Sequence, residues 1–261
     1  MTRTARLLLF GVGAAGFGVV LVYGLSGLPA FGHYRGVYGH VLDGLGVTER
    51  HATDLVTALN FDFRGFDTLG EEFILFGSVL GVVLILREMR GEHERPREYE
   101  ADEHTFGGAS EALRALSLVL IPTILAIGVY IVVHGQITPG GGFQGGVILA
   151  AGPLAVFLAG RYLRMRIVAP AVLVEIGEAA GAMGYALVGL AGLVFAGVFF
   201  KDFLPLGIPG HLLSAGQIDL ASVAVGLEVS GAFLVAYSEF LDQALIISGG
   251  SGPEDGEGGK S

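Results

Sequence analysis

The chain has 261 residues, of which 52% are hydrophobic and only 15% are charged, a balance typical of integral membrane proteins. Its formal net charge of −10 argues against nucleic-acid binding, which requires a basic surface. The sequence has no Cys, which excludes disulfides, cysteine-based metal sites and iron–sulfur ligation, and its His residues lack metal-ligand spacing. We therefore expect no cofactor and no metal.

Six apolar runs predict an all-α membrane protein with about six transmembrane helices. A helix needs roughly 20 apolar residues to cross a bilayer, and an open sheet cannot face lipid. The 44 glycines predict close helix packing. The first run resembles a signal peptide, but its length favours a retained helix. The predicted spans are Leu7–Leu25, Asp67–Leu86, Ala115–Val133, Phe143–Gly160, Ala179–Phe200 and Leu220–Tyr237.

The distribution of basic residues predicts the orientation. If the N-terminus is cytoplasmic, eleven of the 15 Lys and Arg residues fall in cytoplasmic segments. Both termini are therefore expected in the cytoplasm, and the loops Gly27–Phe66, Gly135–Gly142 and Lys201–Gln217 outside. Within the first loop, His51–Leu59 is suited to a short amphipathic helix at the membrane interface.

Changes in composition predict four parts. Residues 1–90 form a two-helix segment, and residues 91–112 form a charged, exposed cytoplasmic linker. Residues 113–247 form a four-helix domain. The tail, residues 248–261, is rich in Gly and Ser and is expected to be disordered.

A glycine-rich break, His134–Gly146, marks the tip of a transmembrane hairpin. Its proline ends a helix, and its glycines permit sharp turns and close approach. Irregular backbone near a membrane needs protein or water around it, so we expect a buried contact or a water-lined cavity. The break also matches Gly-x-Gly-x-x-Gly, but no strand precedes it, which argues against a nucleotide site. The hairpin motif comprises Pro139, Gly140, Gly141, Gly142, Phe143 and Gln144.

Glu228 lies midway along the sixth predicted span. An ionised carboxylate at the bilayer centre costs at least about 2.5–3.5 kcal/mol, and such residues usually face the protein interior and mark an ion or proton route. The alternative is a protonated carboxyl group that only joins neighbouring helices. We favour the functional interpretation.

Three acids cluster at the start of the second span. Asp67 and Glu71 are four residues apart and share a helix face, whereas Glu72 points about 100° away, given about 3.6 residues per turn. Asp67 is expected to cap the helix. Glu71 is a candidate ion or proton site, and Glu72 is expected to face water.

Three further residues are candidates for the ion pathway. Glu175 and Glu178 are either solvated at the interface or lie inside the cytoplasmic half of the bundle, if the fifth helix begins near Pro170. We favour the second alternative. His134 can titrate near neutral pH, although interfacial packing is the simpler explanation for it.

Four segments resemble the B subunit of the Mrp multisubunit sodium/proton antiporters. They are His134–Gly146, Leu213–Ile218, Val225–Val229 and Ser238–Leu241, and the resemblance covers roughly Arg114–Ile247. The front of the chain resembles a different subunit. Its stretch Phe61–Glu71 is similar to the C-terminal end of the large A subunit of Mrp complexes and to the small E subunit of membrane-bound hydrogenases.

The resemblance implies a fusion of two neighbouring subunits in a complex I-related machine. It also implies functional importance for Glu71, Pro139 and Phe143. The expected partners are the large antiporter-like A and D subunits, the small C, E, F and G subunits, and the lipids of a prokaryotic cell membrane. The transported ions would be Na+ and H+.

These observations together predict a non-enzymatic membrane subunit of an Mrp-type Na+/H+ antiporter that forms part of the ion path. Two alternatives stay open, namely a subunit of a redox-driven complex similar to a membrane-bound hydrogenase, and a purely structural subunit. In the proposed path, Glu71 acts on the outer side, Glu228 in mid-membrane, and Glu175 and Glu178 on the cytoplasmic side.

Overall fold

The computed structural model describes residues 3–28, 32, 36–91, 110–159 and 169–249. Every regular element in these ranges is helical, as predicted. In chain order they are α1 (Arg3–Ser26), α2 (Val37–Arg50), α3 (Leu55–Ala58), a π-helical turn (Leu59–Phe63), α4 (Gly65–Gly91), α5 (Glu111–Val133), α6 (Gly142–Leu158), α7 (Ala171–Ala196) and α8 (Gln217–Gly249).

The chain forms two compact units, Met1–Val41 and Leu42–Ser261. In the first unit, the apolar stretch Leu7–Ser26 of α1 buries none of its residues within the chain, as expected of a helix that faces lipid or other subunits. The second unit contains all the candidate site residues, and the following description concerns that unit.

Among the described residues, five helices are long and apolar enough to cross a membrane, as expected of a multi-pass membrane protein. They are α1, α4, α5, α7 and α8. The fourth predicted span forms α6, which has only 17 residues. It is about 26 Å long, slightly shorter than the ~30 Å hydrocarbon core of a bilayer. The prediction of about six spans is thus met by five full-length helices and one shorter apolar helix.

The fifth predicted span is displaced. The structure begins α7 at Ala171, directly after Pro170, and ends it before Gly197, which has a left-handed backbone (φ 78°). The prediction of Ala179–Phe200 placed both ends about four to eight residues too late, because the acidic residues near Pro170 resemble an interfacial segment. The earlier start brings Glu175 and Glu178 into the helix.

The predicted amphipathic helix His51–Leu59 is wrong in its bounds. His51 has a positive φ of 51°, and the following residues are irregular. Helix α3 starts only at Leu55, because the Asp54 carboxylate caps it by accepting a hydrogen bond from the Thr57 amide at 3.1 Å. The preceding helix α2 was not predicted.

Several predictions fall outside the described residues, which exclude 92–109, 160–168 and 250–261. They concern most of the linker 91–112, the last residue of the predicted span Phe143–Gly160 and nearly all of the tail 248–261. The division between 1–90 and 113–247 stays a prediction. Within the second unit, α4 packs against both α7 and α8.

Helix α8 is the centre of the second unit. In the apolar 18-residue stretch of α8, 61% of the residues are buried, compared with 33% in the corresponding stretch of α7 and 11% in that of α4. Glycines allow α7 and α8 to touch along their backbones. A methyl group on Gly181 would lie 2.7 Å from the Ala224 carbonyl oxygen, and one on Gly231 would lie 2.8 Å from the Glu178 amide nitrogen.

Because of this contact, we expect Gly181→Ala to destabilise the folded protein by about 1–3 kcal/mol, the usual cost of overpacking. The matched control is Gly184→Ala, one turn further along α7, where a methyl group would meet only the Ala224 side chain at 3.5 Å. Thermal unfolding of the detergent-solubilised complex would measure both. Equal midpoints for the two variants would contradict the packing described here.

Candidate functional site

Three acidic side chains from three helices meet inside the bundle. They are Glu72 of α4, Glu178 of α7 and Glu228 of α8, with exposed fractions of 4%, 6% and 0%. Glu228 interacts electrostatically with both of the others. We call this group the carboxylate cluster.

The glycines of α7 and α8 position two of its members. Gly181 lies against the backbone of Glu228, and Gly231 lies against the backbone of Glu178. Because glycine has no side chain, the turn of α8 that carries Glu228 can approach Gly181, and the turn of α7 that carries Glu178 can approach Gly231. The two glutamates are therefore held by backbone contact rather than by flexible side chains.

The cluster is poor in hydrogen-bond donors. Neither carboxylate oxygen of Glu228 receives a hydrogen bond from a described residue, and the same holds for Oε2 of Glu72. The Glu72 and Glu228 carboxyl groups nevertheless lie within hydrogen-bonding reach of each other. Two carboxylates are both acceptors, so a hydrogen bond between them requires a proton on one of them. If both carboxyl groups were ionised, their charges would repel each other strongly in so buried a site.

The expectation for Glu72 was wrong. It was expected to face water, but it is buried against α8, and Glu71 lies on the exposed face of α4. Asp67 shares that face, as predicted from its spacing. It does not cap α4, because the helix begins at Gly65 and Asp67 lies in its first turn. There its carboxylate accepts a hydrogen bond from Arg64 at 2.6 Å.

Two hydroxyl groups lie next to Glu72. Tyr185 of α7 is fully buried and donates to the carbonyl oxygens of Gly65 at 3.0 Å and Asn60 at 3.4 Å. Thr68, one turn before Glu72, donates to the same Asn60 oxygen at 2.8 Å. Asn60 lies in the π-helical turn, whose irregular hydrogen bonding is often found at functional sites.

The other candidate residues lie outside the cluster. Glu175 is exposed on α7, one turn from Glu178, on which it acts electrostatically. His134 follows α5, stacks on Tyr130 with ring centroids 4.5 Å apart, and is half-buried. The structure thus places His134 at the end of α5, where it packs on Tyr130 and is not part of the carboxylate cluster.

The glycine-rich break forms the buried contact that the sequence predicts. It joins α5 to α6, and Gly141 has a φ of 115° that few other residues tolerate. The carbonyl oxygen of buried Gln136 accepts hydrogen bonds from the amides of Thr53 (2.9 Å) and Asp54 (3.1 Å). Pro139 and Gln144 are exposed.

The other members of the hairpin motif begin α6. Gly142 packs against the backbone of α8, where a methyl group would lie 2.7 Å from the amide of Gly226. Gly140 is half-buried beside Ile131, and Phe143 is 47% exposed, with its ring 6.5 Å from that of Phe233. The close packing of the motif therefore comes from its glycines, whereas Pro139, Phe143 and Gln144 are exposed.

A second polar group lies where α8 begins, beside the hairpin tip. We call it the loop-end cluster, and it consists of Arg50, Asp62, Asp202, Gln217 and Asp219. Arg50 forms an ion pair with buried Asp62, and the Gln217 side-chain amide donates to Asp62 at 3.1 Å. Burial raises the pKa of Asp62 above its ordinary value, and the hydrogen bond and charge of Arg50 oppose that rise.

The sequence indicated some of these residues and missed others. Glu228 and Glu178 were identified by their apolar surroundings. Glu72 was named but misplaced. Tyr185, Asp62 and Gln217 were missed, and the hydrogen bonds that join Tyr185 to Gly65 and Gln217 to Asp62 span 120 and 155 positions. No group of three His, Cys, Asp or Glu side chains among the described residues is arranged to hold a metal ion.

Residues 112–235 match a family model described as a domain related to the MnhB subunit of Na+/H+ antiporters. The match contains Glu178 and Glu228 but not Glu72. An uncharacterized protein of Methanocaldococcus jannaschii is 28% identical over 249 residues, which is 88% of this chain and 91% of the relative. A probable A/B subunit of a K+/H+ antiporter of Rhizobium meliloti is 25% identical over 60% of this chain. The chain spans only 17% of that relative's length.

Two solved structures share the fold over nearly the whole chain. A chain of the membrane-bound sulfane sulfur reductase, an archaeal respiratory membrane complex, is 29% identical with a TM-score of 0.67. The alignment covers 91% of this chain and 98% of that one. A chain of the Mrp complex from Dietzia sp. DQ12-45-1b is 26% identical with a TM-score of 0.66, over 92% of this chain and 26% of that one.

The Arg50–Asp62 pair gives a pH-dependent prediction. Because the pKa of Asp62 is raised on folding, this group favours the folded state when protonated, and that contribution is lost as the pH rises through the folded-state pKa. Arg50→Met removes the charge that opposes the rise. We therefore expect a stability deficit that is larger at about pH 8 than at about pH 5, and that reaches about 3 kcal/mol at the higher pH.

Thermal unfolding at both pH values would measure this deficit. Arg64→Met is the control, since its ion pair with Asp67 is exposed and such pairs contribute at most about 1 kcal/mol. A deficit for Arg50→Met that shrinks with rising pH would show that Asp62 is not stabilised by Arg50.

Proposed function

We propose that this chain, whose residues 112–235 match the MnhB-related family model, is a membrane subunit of a multisubunit cation/proton antiporter of the Mrp type. It is not an enzyme by itself. Its proposed partners are the large antiporter-like A and D subunits and the small C, E, F and G subunits. The proposed location is a prokaryotic cell membrane, and the proposed ions are Na+ and H+.

The observation that supports this function best is the carboxylate cluster. It offers adjoining proton acceptors in the interior of a transmembrane bundle, without donors among the described residues that would fix the protonation state of Glu228. A proton bound between Glu72 and Glu228 can transfer to either carboxylate without breaking other hydrogen bonds. Glu178, on the adjoining helix, is the next acceptor in the bundle.

The side chains around the cluster suggest how protons reach it. Thr68 and Tyr185 present hydroxyl groups beside Glu72, on the side of the π-helical turn. Glu175 lies one turn from Glu178 towards the start of α7 and is exposed. The proposed path therefore runs from the hydroxyl pair through Glu72, Glu228 and Glu178 to Glu175. Glu71 and Asp67 face away from it, towards lipid or a partner subunit.

A redox-driven host complex is the second candidate, supported by the similarity to a chain of an archaeal respiratory complex. The proton path within this chain would be the same in both cases. Identification of the chains that co-purify with it, together with a search for redox absorbance bands, distinguishes the two. Redox-active chains in the purified complex would favour the second candidate.

The proposed function predicts the behaviour of a double-mutant cycle. Glu72→Gln and Glu228→Gln keep the volume and the hydrogen-bonding groups but cannot ionise, so each should lower transport by about tenfold or more. If the two residues share one proton, the double variant should be little worse than either single variant. The measurement is ion-driven pH change in vesicles at matched assembly levels.

The control for this cycle is Glu111→Gln, which changes an exposed acid at the start of α5. A purely structural role predicts the opposite pattern at position 228. Glu228→Gln would then be tolerated, and Glu228→Leu would prevent assembly because the buried hydrogen bond is lost. Equal transport by wild type and both Gln variants would refute the relay.

The proposed orientation places the hairpin tip and the α7–α8 loop outside the cell. A single Cys introduced at exposed Lys201 of this Cys-free chain should react with a membrane-impermeant maleimide applied to intact cells. Cys at position 95, in the charged linker, should react only after the cells are opened. Labelling of position 95 in intact cells would show that the orientation of the chain is the reverse of the one proposed.

A further inference from the structure

We propose that the loop-end cluster binds a hydrated monovalent cation, such as Na+, between Asp202, Gln217 and Asp219. The inference rests on the proposed function, because this ion would be the cation exchanged for protons. It adds to that function a separate ion site, whose Asp219 and Gln217 lie about 14 and 17 Å from Glu228 along α8 at 1.5 Å rise per residue.

The first observation is a set of buried acceptors that receive no hydrogen bond within the described part of the chain. They are Oδ2 of Asp202, Oε1 of Gln217 and Oδ1 of Asp219. Gln217 is fully buried, and so is Ser214, whose hydroxyl oxygen is also without a partner there. Leaving such groups unsatisfied costs about 1–3 kcal/mol each, so a ligand that satisfies several at once is favoured.

The second observation is that these groups share one site. Oδ1 of Asp202 accepts a hydrogen bond from the Gln217 amide at 3.1 Å. The Gln217 side-chain nitrogen donates to Asp62 at 3.1 Å, which holds the attached Oε1 in the same cluster. Asp202 also interacts electrostatically with both Asp62 and Asp219.

Helix capping explains only part of this arrangement. Asp202 caps the first residue of α8, and Oδ2 of Asp219 accepts from the Ala215 amide at 3.3 Å. Each of these carboxylates therefore has one oxygen that stabilises the helix end and one that does not. The oxygens without donors require a ligand that offers positive charge or N–H or O–H groups.

The charges of the cluster favour a cation as that ligand. Asp62, Asp202 and Asp219 bring three carboxyl groups, and Arg50 neutralises only Asp62. The free atoms of Asp202, Gln217 and Asp219 are all oxygens, from carboxylate and amide groups, which suit a hard cation. We name a partly hydrated monovalent ion because that is the cation that the proposed function exchanges for protons.

The test uses Asp202→Asn and Asp219→Asn, singly and together, in the purified complex. Asparagine keeps the oxygen that caps the helix and replaces the unsatisfied oxygen by an NH2 group, so the fold is preserved while the cation ligand is lost. Asp43→Asn, an exposed acid on α2, is the control. Thermal unfolding is followed as NaCl replaces choline chloride at constant ionic strength.

We expect Na+ to raise the unfolding midpoint of the wild type and of the control. Each single Asn variant should need about tenfold more Na+ for the same shift, which corresponds to the loss of one charged ligand. The double variant should not respond to Na+. A wild type that responds equally to choline and Na+, or an unchanged response in the double variant, would overturn the proposal and indicate that water alone occupies the site.

This measurement separates the ion site from the transport function, because it needs no ion gradient. If Na+ stabilises the wild type and not the double variant while vesicles show no antiport, the site stands and the antiporter function fails. If antiport is intact and the Na+ response is the same in all variants, the function stands and the site fails.

Discussion

The backbone contact between α7 and α8 is the constraint on which the rest of this structure depends. An acid within a membrane span costs at least about 2.5–3.5 kcal/mol unless protein surrounds it. Gly181 and Gly231 bring the two helices together at the turns that carry Glu228 and Glu178. With larger residues at these glycines, the helices would separate and the buried acids would meet lipid or water.

The two polar clusters differ in the ligands that they can hold. The carboxylate cluster has acceptors that face one another and no ion pair among the described residues, so a proton is the ligand that suits it. The loop-end cluster has a guanidinium group and an amide, and its Asp202 and Asp219 are only half-buried. The hydroxyl groups of Thr68 and Tyr185 lie between them. Under the proposed function, such an arrangement would separate cation binding from proton movement within one chain.

The sequence predicted where the helices lie along the chain better than which face of each helix packs against its neighbours. Glu228 was identifiable because it is the only acid in a long apolar run, and hydropathy alone places it in mid-membrane. The choice between Glu71 and Glu72 depends on which face of α4 meets α8, and both faces of this helix are similarly apolar. The π-helical turn just before α4 also changes the helical phase, and no local pattern indicates it. The loop-end cluster was beyond sequence analysis for a related reason, since its hydrogen bonds join Asp62 to Gln217 across 155 positions.

The carboxylate cluster also explains why two segments of different resemblance belong together. The family match covers residues 112–235 and supplies Glu178 and Glu228, whereas Glu72 comes from the preceding α4. Neither segment alone contains a pair of acids that can share a proton across α4 and α8. The Glu72–Glu228 pair therefore exists only where the front segment packs on the part of the chain that matches the family model. Because both acids belong to one chain, every Glu228 has one Glu72. The covalent link keeps the local concentration of Glu72 near Glu228 high, so the pair does not depend on the association of separate chains.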